Sequence, residues 1–526
     1  MKLKKVITGK ALPCLVLILS VAGIVMYNAA RATWVFVDIA VKINNFTLYL
    51  LYAMILNVIA VTVLAAIRLY EPSRKGSPVY SQKSYFITTC ISAFFSIFFF
   101  IVAVVFFVVM AGRESSGVYF LYLKKSLFDV AFFVLVPFTA IFFPTIKGKA
   151  RKAVLAVILA VTFTVAVFKI FPVTKYEITC APTVFDNGKE YSVVFSTSDC
   201  GTGYIEYTFE GQKYKLYDEN GGRLNSDSQI HSISVPYEHL NNNTYKIGSV
   251  RVIEQYSYGS RTGKEVVSEE YIFSPVTDDN ATFLVISDWH TEIQKVYETV
   301  SHMGSYDALI LMGDASPGVD FEEEVVRNIV EFSGELSNGT MPVLFVRGNH
   351  ETRGEYAGKL LSALGLESFY YTANIANCSF IVLDSGEDKD DSHPEYGGMT
   401  DYNTYRANMI KWLKTVELEN ERVIALSHSW EISDVEPELS QEGWNQIDRL
   451  GAKLMISGHS HECRLLGTQE KEQEMLSAHP GITGYMDGGN SDDAYIASKM
   501  TVSPEYIFIE AYNNNGENVL EHTIQW

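Results

Sequence analysis

Five segments of the sequence join an apolar run to side chains that bind metal ions. The first runs from Phe283 to Ile286 and leads into Asp288 and His290. In an extended backbone alternate side chains point to the same side, so this carboxylate and this imidazole are predicted to converge on one ion. The other four runs lead into Gly313-Asp314, Gly348-Asn349-His350-Glu351, His428 and Gly458-His459-Ser460-His461.

Each segment has a purely structural explanation when it is taken alone. Gly313-Asp314 after a strand is often a turn with a helix cap, and a single His428 on an apolar strand is often a hydrogen-bonded core residue. An acidic residue and a histidine two apart, such as Asp288 and His290, occur by chance in many long chains. The ordered set makes coincidence improbable and predicts a site for two metal ions.

The apolar runs are predicted to be strands of an α/β domain. They alternate with amphipathic stretches, which is typical of a largely buried sheet covered by helices. The polar segment Ser385–Pro394 follows the run Phe380–Asp384 and is expected near the rim of the site, where long loops often shape access. Arg353 lies close to the third motif, and both a contact with substrate phosphate and a structural salt bridge fit its position.

The ordered motifs resemble those of the calcineurin-like metallophosphoesterase superfamily over about residues 281–526. All are present, namely Asp288-x-His290, Gly313-Asp314, Gly348-Asn349-His350-Glu351, His428 and Gly458-His459-x-His461. The resemblance implies an α/β sandwich of two β-sheets flanked by helices, with the metals at the carboxyl ends of the strands.

The resemblance also implies a role for each site residue. It assigns one metal ion to Asp288, His290 and His461, a second ion to Asn349, His428 and His459, and the bridging position to Asp314. His350 would stay free of metal as the catalytic residue beside the phosphate. Pro317 stands where purple acid phosphatases have a tyrosine ligand, which argues against a coloured iron–tyrosinate centre. The mixed imidazole and carboxylate ligands suit Mn, Fe, Zn or Co, without choosing among them.

Such a centre predicts hydrolysis of a phosphate ester. Two divalent ions about 3.5 to 4 Å apart lower the pKa of a bridging water for in-line attack on phosphorus. A protonated His350 would stabilise developing charge or donate a proton to the leaving oxygen. Phosphate monoesters and diesters both fit this chemistry. The alternative from another class is a metal-binding sensor or scaffold domain coupled to membrane helices.

Residues 1–172 are predicted to be a transmembrane region of about five helices, because each apolar run is close to the roughly 20 residues that cross a bilayer. The runs lie near residues 12–30, 46–69, 85–111, 126–146 and 152–171. Lys and Arg concentrate before the first run and between runs two and three and four and five, which places those ends in the cytoplasm. An odd number of spans then predicts a multi-pass protein of the cell membrane, with the lipid bilayer as a partner and the catalytic domain extracytoplasmic. A cleaved signal peptide ending near Ala30-Arg31-Ala32 would give the same side.

Residues 173–277 are predicted to be an all-β sandwich of the immunoglobulin or fibronectin-III type, because short β-rich runs alternate with turn residues. This segment also has a looser resemblance to the sandwich that precedes the catalytic domain in purple-acid-phosphatase-like proteins. A spacer and a ligand-binding module are both compatible with it. Whether Cys180 and Cys200 pair is left open. Residues 278–526 would form the metallophosphoesterase domain.

The distribution of charge along the sequence limits the class of molecule that the protein is expected to bind. Residues 1–171 carry 18 Lys and Arg against 4 Asp and Glu, whereas the remainder carries 24 against 57. So acidic a portion would repel a polyphosphate backbone, which argues against nucleic acid as a partner. The expected substrate is therefore a phosphate ester that is a small molecule or a component of the cell envelope.

Overall fold

The computed structural model describes residues 175–526, except residues 257, 258, 278, 397, 492 and 493, together with Phe94. The chain divides into two compact units, one of which comprises Thr174–Val252 and Thr262–Trp526. All predicted site residues lie in this unit.

The described strands are numbered in chain order. They are β1 (Thr183–Asp186), β2 (Tyr191–Phe209), β3 (Gln212–Tyr217), β4 (Glu219–Asn220), β5 (Arg223–Leu224), β6 (Ser228–Val235), β7 (Thr244–Tyr256), β8 (Gly259–Val267), β9 (Tyr271–Ile272), β10 (Ala281–Ile286), β11 (Ala308–Leu311), β12 (Pro342–Phe345), β13 (Tyr371–Ile375), β14 (Cys378–Leu383), β15 (Val423–Ser427), β16 (Ala452–Ser457), β17 (Arg464–Leu465), β18 (Thr483–Met486), β19 (Gly489–Asn490), β20 (Tyr495–Val502), β21 (Tyr506–Asn513) and β22 (Asn518–Gln525).

The described helices are short. They are α1 (Tyr237–Leu240), α2 (Ile293–Ser301), α3 (Glu322–Val325), a π-helical stretch (Val326–Glu331) that leads into α4 (Phe332–Ser337), α5 (Leu360–Ala363), α6 (Tyr402–Leu413), α7 (Pro437–Arg449) and α8 (Glu470–Ala478). Single turns of 3₁₀ helix occupy His350–Thr352, Ala357–Lys359 and Pro394–Tyr396.

Two sheets carry the site. The larger has the strand order β22-β21-β20-β10-β11-β12-β1-β2-β7-β8, with β3, β6, β9 and β19 paired beside this path. The smaller has the order β13-β14-β15-β16-β18-β17. Strands β10, β11 and β12 run parallel in the first sheet, and β14, β15, β16 and β18 run parallel in the second. The carboxyl ends of neighbouring parallel strands meet at one edge, so the loops that follow them share that edge.

Alternate residues of the central strands build two cores. Phe283 of β10 and Phe380 of β14 meet between the sheets, with ring centroids 5.2 Å apart, in an apolar cluster with Leu426 and other inward-facing residues. Leu284, the next residue along β10, belongs instead to a second cluster that includes Phe332 of α4. This period of two explains why the strands read as continuous apolar runs: both faces are buried.

The prediction that residues 173–277 form a separate all-β sandwich is wrong. Strand β1 pairs antiparallel with β2 and parallel with β12, where Phe185 lies opposite Val343. All four residues of β1 are buried. Edge backbone groups of β12 need hydrogen-bond partners, and β1 supplies them, so these strands continue the larger sheet. The predicted domain boundaries themselves stay a prediction.

The predicted fold class is also wrong in its transmembrane helices, and the predicted multi-pass location in the cell membrane is wrong with it. Among the residues that the structure describes, no helix is long and apolar enough to cross a membrane. The physical reason is length: α7, with 13 residues, falls short of the roughly 20 that a span needs. Apart from Phe94, the five apolar runs on which the prediction was based lie outside the described residues.

The cysteines of the described part do not pair. Cys180 and Cys200 are both free thiols, as are Cys378 and Cys463. The thiol of Cys180 lies 3.4 Å from the hydroxyl of Ser196. The open question of a Cys180–Cys200 disulfide is thus answered in the negative.

The junction between β1 and β12 yields a prediction. Phe185 is fully buried and its ring meets Phe345 edge-on, with centroids 6.2 Å apart. Phe185→Ala should cost about 3 to 5 kcal/mol and speed amide hydrogen exchange in β11 and β12, because those strands share the sheet. Val519→Ala, at a side chain that is 44% exposed, is the control and should change exchange little. Unchanged exchange in β12 of the Phe185 variant would show that β1 folds separately.

Candidate metal centre

The site residues stand in turns immediately beyond the strands. Strand β10 ends at Ile286, and both Asp288 and His290 have a left-handed backbone, with φ of 48° and 37°. Asp314, His459 and His461 do as well, with φ of 59°, 70° and 57°. The extended geometry expected for Asp288 and His290 is therefore wrong. Left-handed conformations cost free energy in non-glycine residues and cluster at functional sites.

The first group of donors contains Asp288, His290 and His461. The Nε2 atoms of the two histidines lie 3.3 Å apart, and Nε2 of His461 lies 3.5 Å from Oδ1 of Asp288. One donor atom from each residue lies within 4.8 Å of the others. Although the backbone differs from the expectation, the convergence of Asp288 and His290 is present.

The second group contains His428, His459 and Asn349. The amide oxygen of Asn349 lies 3.2 Å from Nε2 of His428 and 3.0 Å from Nδ1 of His459. His428 and Asn349 are buried. The two histidines of the Gly458-His459-x-His461 motif thus belong to different donor groups.

Asp314 stands between the two groups. Its Oδ2 atom lies 3.2 Å from Nε2 of His428 and 3.8 Å from Nε2 of His290. Nε2 of His350 is also 3.8 Å from this oxygen. The structure therefore brings together all eight residues predicted for the site, with one carboxylate shared among them.

Backbone carbonyls orient three of the imidazoles. Nδ1 of His428 lies 2.7 Å from the carbonyl oxygen of Met312, and Nδ1 of His350 lies 2.9 Å from that of Pro317. Nδ1 of His461 likewise faces the carbonyl of Asn490. A carbonyl only accepts, so each Nδ1 must donate and each Nε2 is left to face the site, as in histidines that bind metals.

Unpaired oxygens show that the donor set fits cations. Oδ1 of Asp288 is buried without a hydrogen-bond partner among the described residues. The Asn349 oxygen faces two imidazole nitrogens, an arrangement that a cation between them satisfies. Without a cation the reversed amide would be favoured, donating to His459 and to Asp314 and accepting from Arg353. Carboxylates, imidazoles and one amide oxygen are suitable ligands for divalent ions.

Burial and neighbouring charge set the protonation of the donors. Burial lowers the pKa of His290 and of His459 to about 4, which leaves both rings neutral near pH 7. Burial raises the pKa of Asp288 to about 6. Burial alone would raise the pKa of Asp314 too, but His428 and His350 bring it below its usual range. Burial alone would lower the pKa of His428, but the neighbouring carboxylate of Asp314 raises it. A cation bound to His428 would therefore replace a proton.

Glu351 connects two of the site turns, a role that was not predicted from the motif that contains it. Its Oε2 accepts hydrogen bonds from the backbone N–H of Asp314 and of Gly348, both at 2.8 Å, and its Oε1 accepts one from Ala315 at 2.6 Å. A Cβ atom on Gly348 would lie 2.1 Å from Oδ1 of Asp314. The close approach of these turns thus depends on glycine and on one buried carboxylate.

A sixth strand end closes the site and was also missed. The segment Asp487–Asn490 follows β18. The N–H of Asn490 donates to the carbonyl of Asp288 at 3.1 Å, while its own carbonyl holds His461. A Cβ on Gly489 would lie 2.5 Å from Cβ of Asp288. The sequence Asp-Gly-Gly-Asn after an apolar run was the signal that could have identified it.

The polar segment Ser385–Pro394 lies beside the site, as expected. Its Glu387 accepts hydrogen bonds from Thr352 at 2.7 Å and from Nε of Arg353 at 2.7 Å. Of the two roles left open for Arg353, the salt bridge is therefore present.

Part of the chain is similar to a known protein family. Residues 281–463 match the family model described as calcineurin-like phosphoesterase. The resemblance recognised in the motifs is thereby confirmed over that range. No curated protein sequence gives a match.

Several solved structures are similar to this chain at low identity. An anchor protein in the inner membrane complex of Plasmodium has 13% identity and a TM-score of 0.32, covering 47% of this chain and 89% of that one. A metallophosphoesterase from Sphaerobacter thermophilus has 15% identity and a TM-score of 0.24, covering 47% and 89%. The phosphoesterase Yfce from E. coli has 13% identity and a TM-score of 0.23, covering 46% and 100%. The similarity to the calcineurin-like phosphoesterase family extends over residues 281–463.

The three hydrogen bonds to Glu351 yield a prediction. Glu351→Gln replaces one accepting oxygen with an NH₂ group that faces backbone donors, so it should lower the free energy of unfolding by about 1 to 3 kcal/mol. It should also weaken metal binding, because the Asp314 turn loses its anchor. Glu355→Gln, at an exposed residue of the same segment, is the matched control. Thermal unfolding and metal analysis of both variants would test this, and equal behaviour of the two would exclude the anchoring role.

Proposed function

We propose that the calcineurin-like phosphoesterase domain of this chain is a metal-dependent phosphoric ester hydrolase. The observation that carries the proposal is the position of Asp314, whose carboxylate lies within 3.8 Å of histidines from both donor groups. A carboxylate so placed is suited to join two cations. The family match over residues 281–463 supports the same reaction class.

The donor groups define which residues would hold the ions. Asp288, His290 and His461 would bind one ion, Asn349, His428 and His459 the other, and Asp314 both. Divalent ions at these positions would lower the pKa of a bound water and neutralise charge on phosphoryl oxygens. Mn, Fe, Zn and Co all suit this ligand set.

His350 is proposed to act on the leaving group. Its Nδ1 donates to the carbonyl of Pro317, and its Nε2 points toward Asp314 from a side chain that is 26% exposed. This orientation leaves Nε2 beside Asp314 on a partly exposed side chain, where it can hold a proton and deliver it to a leaving oxygen. Such proton transfer typically contributes about 100- to 10,000-fold in rate.

The proposed substrate is a phosphate monoester or diester. The direct experiment assays the metal-loaded full chain with p-nitrophenyl phosphate and with bis(p-nitrophenyl) phosphate, before and after a chelator removes the metal. Hydrolysis that disappears with the metal and returns when it is restored supports the proposal. A metal-loaded, folded chain that hydrolyses neither compound nor any other ester of a broad panel would contradict it.

The bridging role predicts the behaviour of Asp314→Asn. The amide lacks the charge that offsets two cations, so the variant should lose most of its metal and most of its hydrolytic activity. Metal content per chain and initial rates at saturating substrate are the measurements. A folded Asp314→Asn protein with normal activity would show that the bridging assignment is incorrect.

The proton-donor role predicts a different result for His350→Ala. Turnover should fall by about 100- to 10,000-fold, while metal content stays that of the wild type because the residue is not proposed as a ligand. His302→Ala, at an exposed histidine beyond the end of α2, is the control and should retain full turnover. Loss of metal from the His350 variant would instead identify His350 as a ligand.

A further inference from the structure

Arg353 lies at the edge of the site with one side of its guanidinium group against a proposed metal ligand. The residue follows the turn His350–Thr352. Its Nη2 lies 3.1 Å from the amide atom of Asn349 that points away from His428 and His459. The side chain is 28% exposed, so the group also borders solvent at the same edge.

Glu387 fixes the orientation of this guanidinium group. Its two oxygens accept from Nε and Nη2 of Arg353 at 2.7 and 2.8 Å, and Asp388 accepts from Nη2 at 3.3 Å. Glu387 also accepts from the hydroxyls of Thr352 at 2.7 Å and Tyr396 at 3.0 Å. A buried carboxylate with four donors has little freedom to move, and a two-point pair with arginine fixes the plane of the guanidinium.

Buried Arg406 holds the segment that carries Glu387. Its Nη1 donates to the carbonyl oxygens of Ser385 at 3.1 Å and of Glu387 at 3.2 Å. Its Nη2 donates to Asn403 at 2.8 Å on α6. The position of Glu387, and through it that of Arg353, is therefore set by the packed body of the domain.

This pairing uses only one side of the guanidinium group. No described residue accepts a hydrogen bond from Nη1 of Arg353. Arg353 pairs with Glu387 and Asp388, and Lys389 pairs with Asp388. A partly exposed N–H donor beside a cation site is suited to an anionic oxygen, and arginine is well matched to phosphate.

We propose that Arg353 binds a phosphoryl oxygen of the substrate through Nη1 and that Glu387 is its positioning residue. The inference rests on the proposed function, because it takes the phosphate to lie at the centre defined by Asp314. It adds a residue outside the predicted site and gives the Ser385–Pro394 segment a role in substrate affinity. The salt bridge and the substrate contact, first considered as alternatives, are here two uses of one side chain.

Binding of inorganic phosphate to the metal-loaded full chain tests this inference without turnover. Titration calorimetry should show a Kd raised about 10- to 100-fold in Arg353→Ala and in Arg353→Lys, since a lost charge-assisted hydrogen bond has this effect. The lysine retains the positive charge but lacks the planar set of N–H donors of a guanidinium group. Metal content is measured in each sample and should equal that of the wild type.

The positioning role of Glu387 is separated from a merely structural role by a double-variant cycle. Glu387→Gln should raise the Kd for phosphate by less than Arg353→Ala does, and the double variant should bind no more weakly than Arg353→Ala. Additive effects would overturn the positioning role. Arg422→Ala is the matched control. Arg422 pairs with Asp279 at 2.7 Å beside the start of β15, at the opposite end of the strand from His428. The Kd of this variant for phosphate should equal that of the wild type.

Two results would overturn the substrate contact. One is a Kd within about twofold of the wild type in both metal-loaded Arg353 variants. The other is loss of metal from both, which would mean that Arg353 supports Asn349 and not the substrate. Absence of ester hydrolysis by the wild type would count against the proposed function alone, since phosphate binding still decides the role of Arg353.

Discussion

The buried carboxylate of Asp314 is the contact that the other parts of the site share. Its Oδ2 lies 3.2 Å from His428 and 3.8 Å from both His290 and His350, while its Oδ1 accepts from the N–H of His350 at 3.0 Å. Glu351 holds the backbone behind it. Close packing of carboxylates and imidazoles is costly without balancing charge. Cations at the two donor groups would supply that charge, so the site and its ions are expected to stabilise each other.

The residue types at the strand ends made the site predictable, but its backbone did not follow from them. Apolar runs that lead into Asp, Asn and His named the eight residues grouped around Asp314, but not Glu351 or Asn490, which hold their turns. The left-handed turns at Asp288 and His461 depend on Asn490, which is distant in sequence and contacts both. Glu351 was missed for a similar reason: its partners are backbone N–H groups, whose positions only the folded chain defines.

The sheets were predictable only where both faces of each strand are buried. Strands β10 to β12 were recognised from continuous apolar residues, and they are buried on both sides. The partner of β1 was not predictable, because a short strand such as Thr183–Asp186 has the same pattern in a separate sandwich as it has beside β12. Pairing between distant segments depends on which edge is available, and the alternation of side chains carries no information about that. The helices that the structure describes are too short and polar for the membrane-spanning class that composition favoured.

Asp314 is proposed to join two metal ions into one centre. Titration of the metal-free full chain with Mn²⁺, followed by electron paramagnetic resonance, tests it most directly. Two ions about 3.5 to 4 Å apart are magnetically coupled through a shared carboxylate. We expect saturation at two ions per chain, with the spectrum of a coupled pair. Saturation at one ion, or two ions with the spectrum of isolated Mn²⁺, would contradict it.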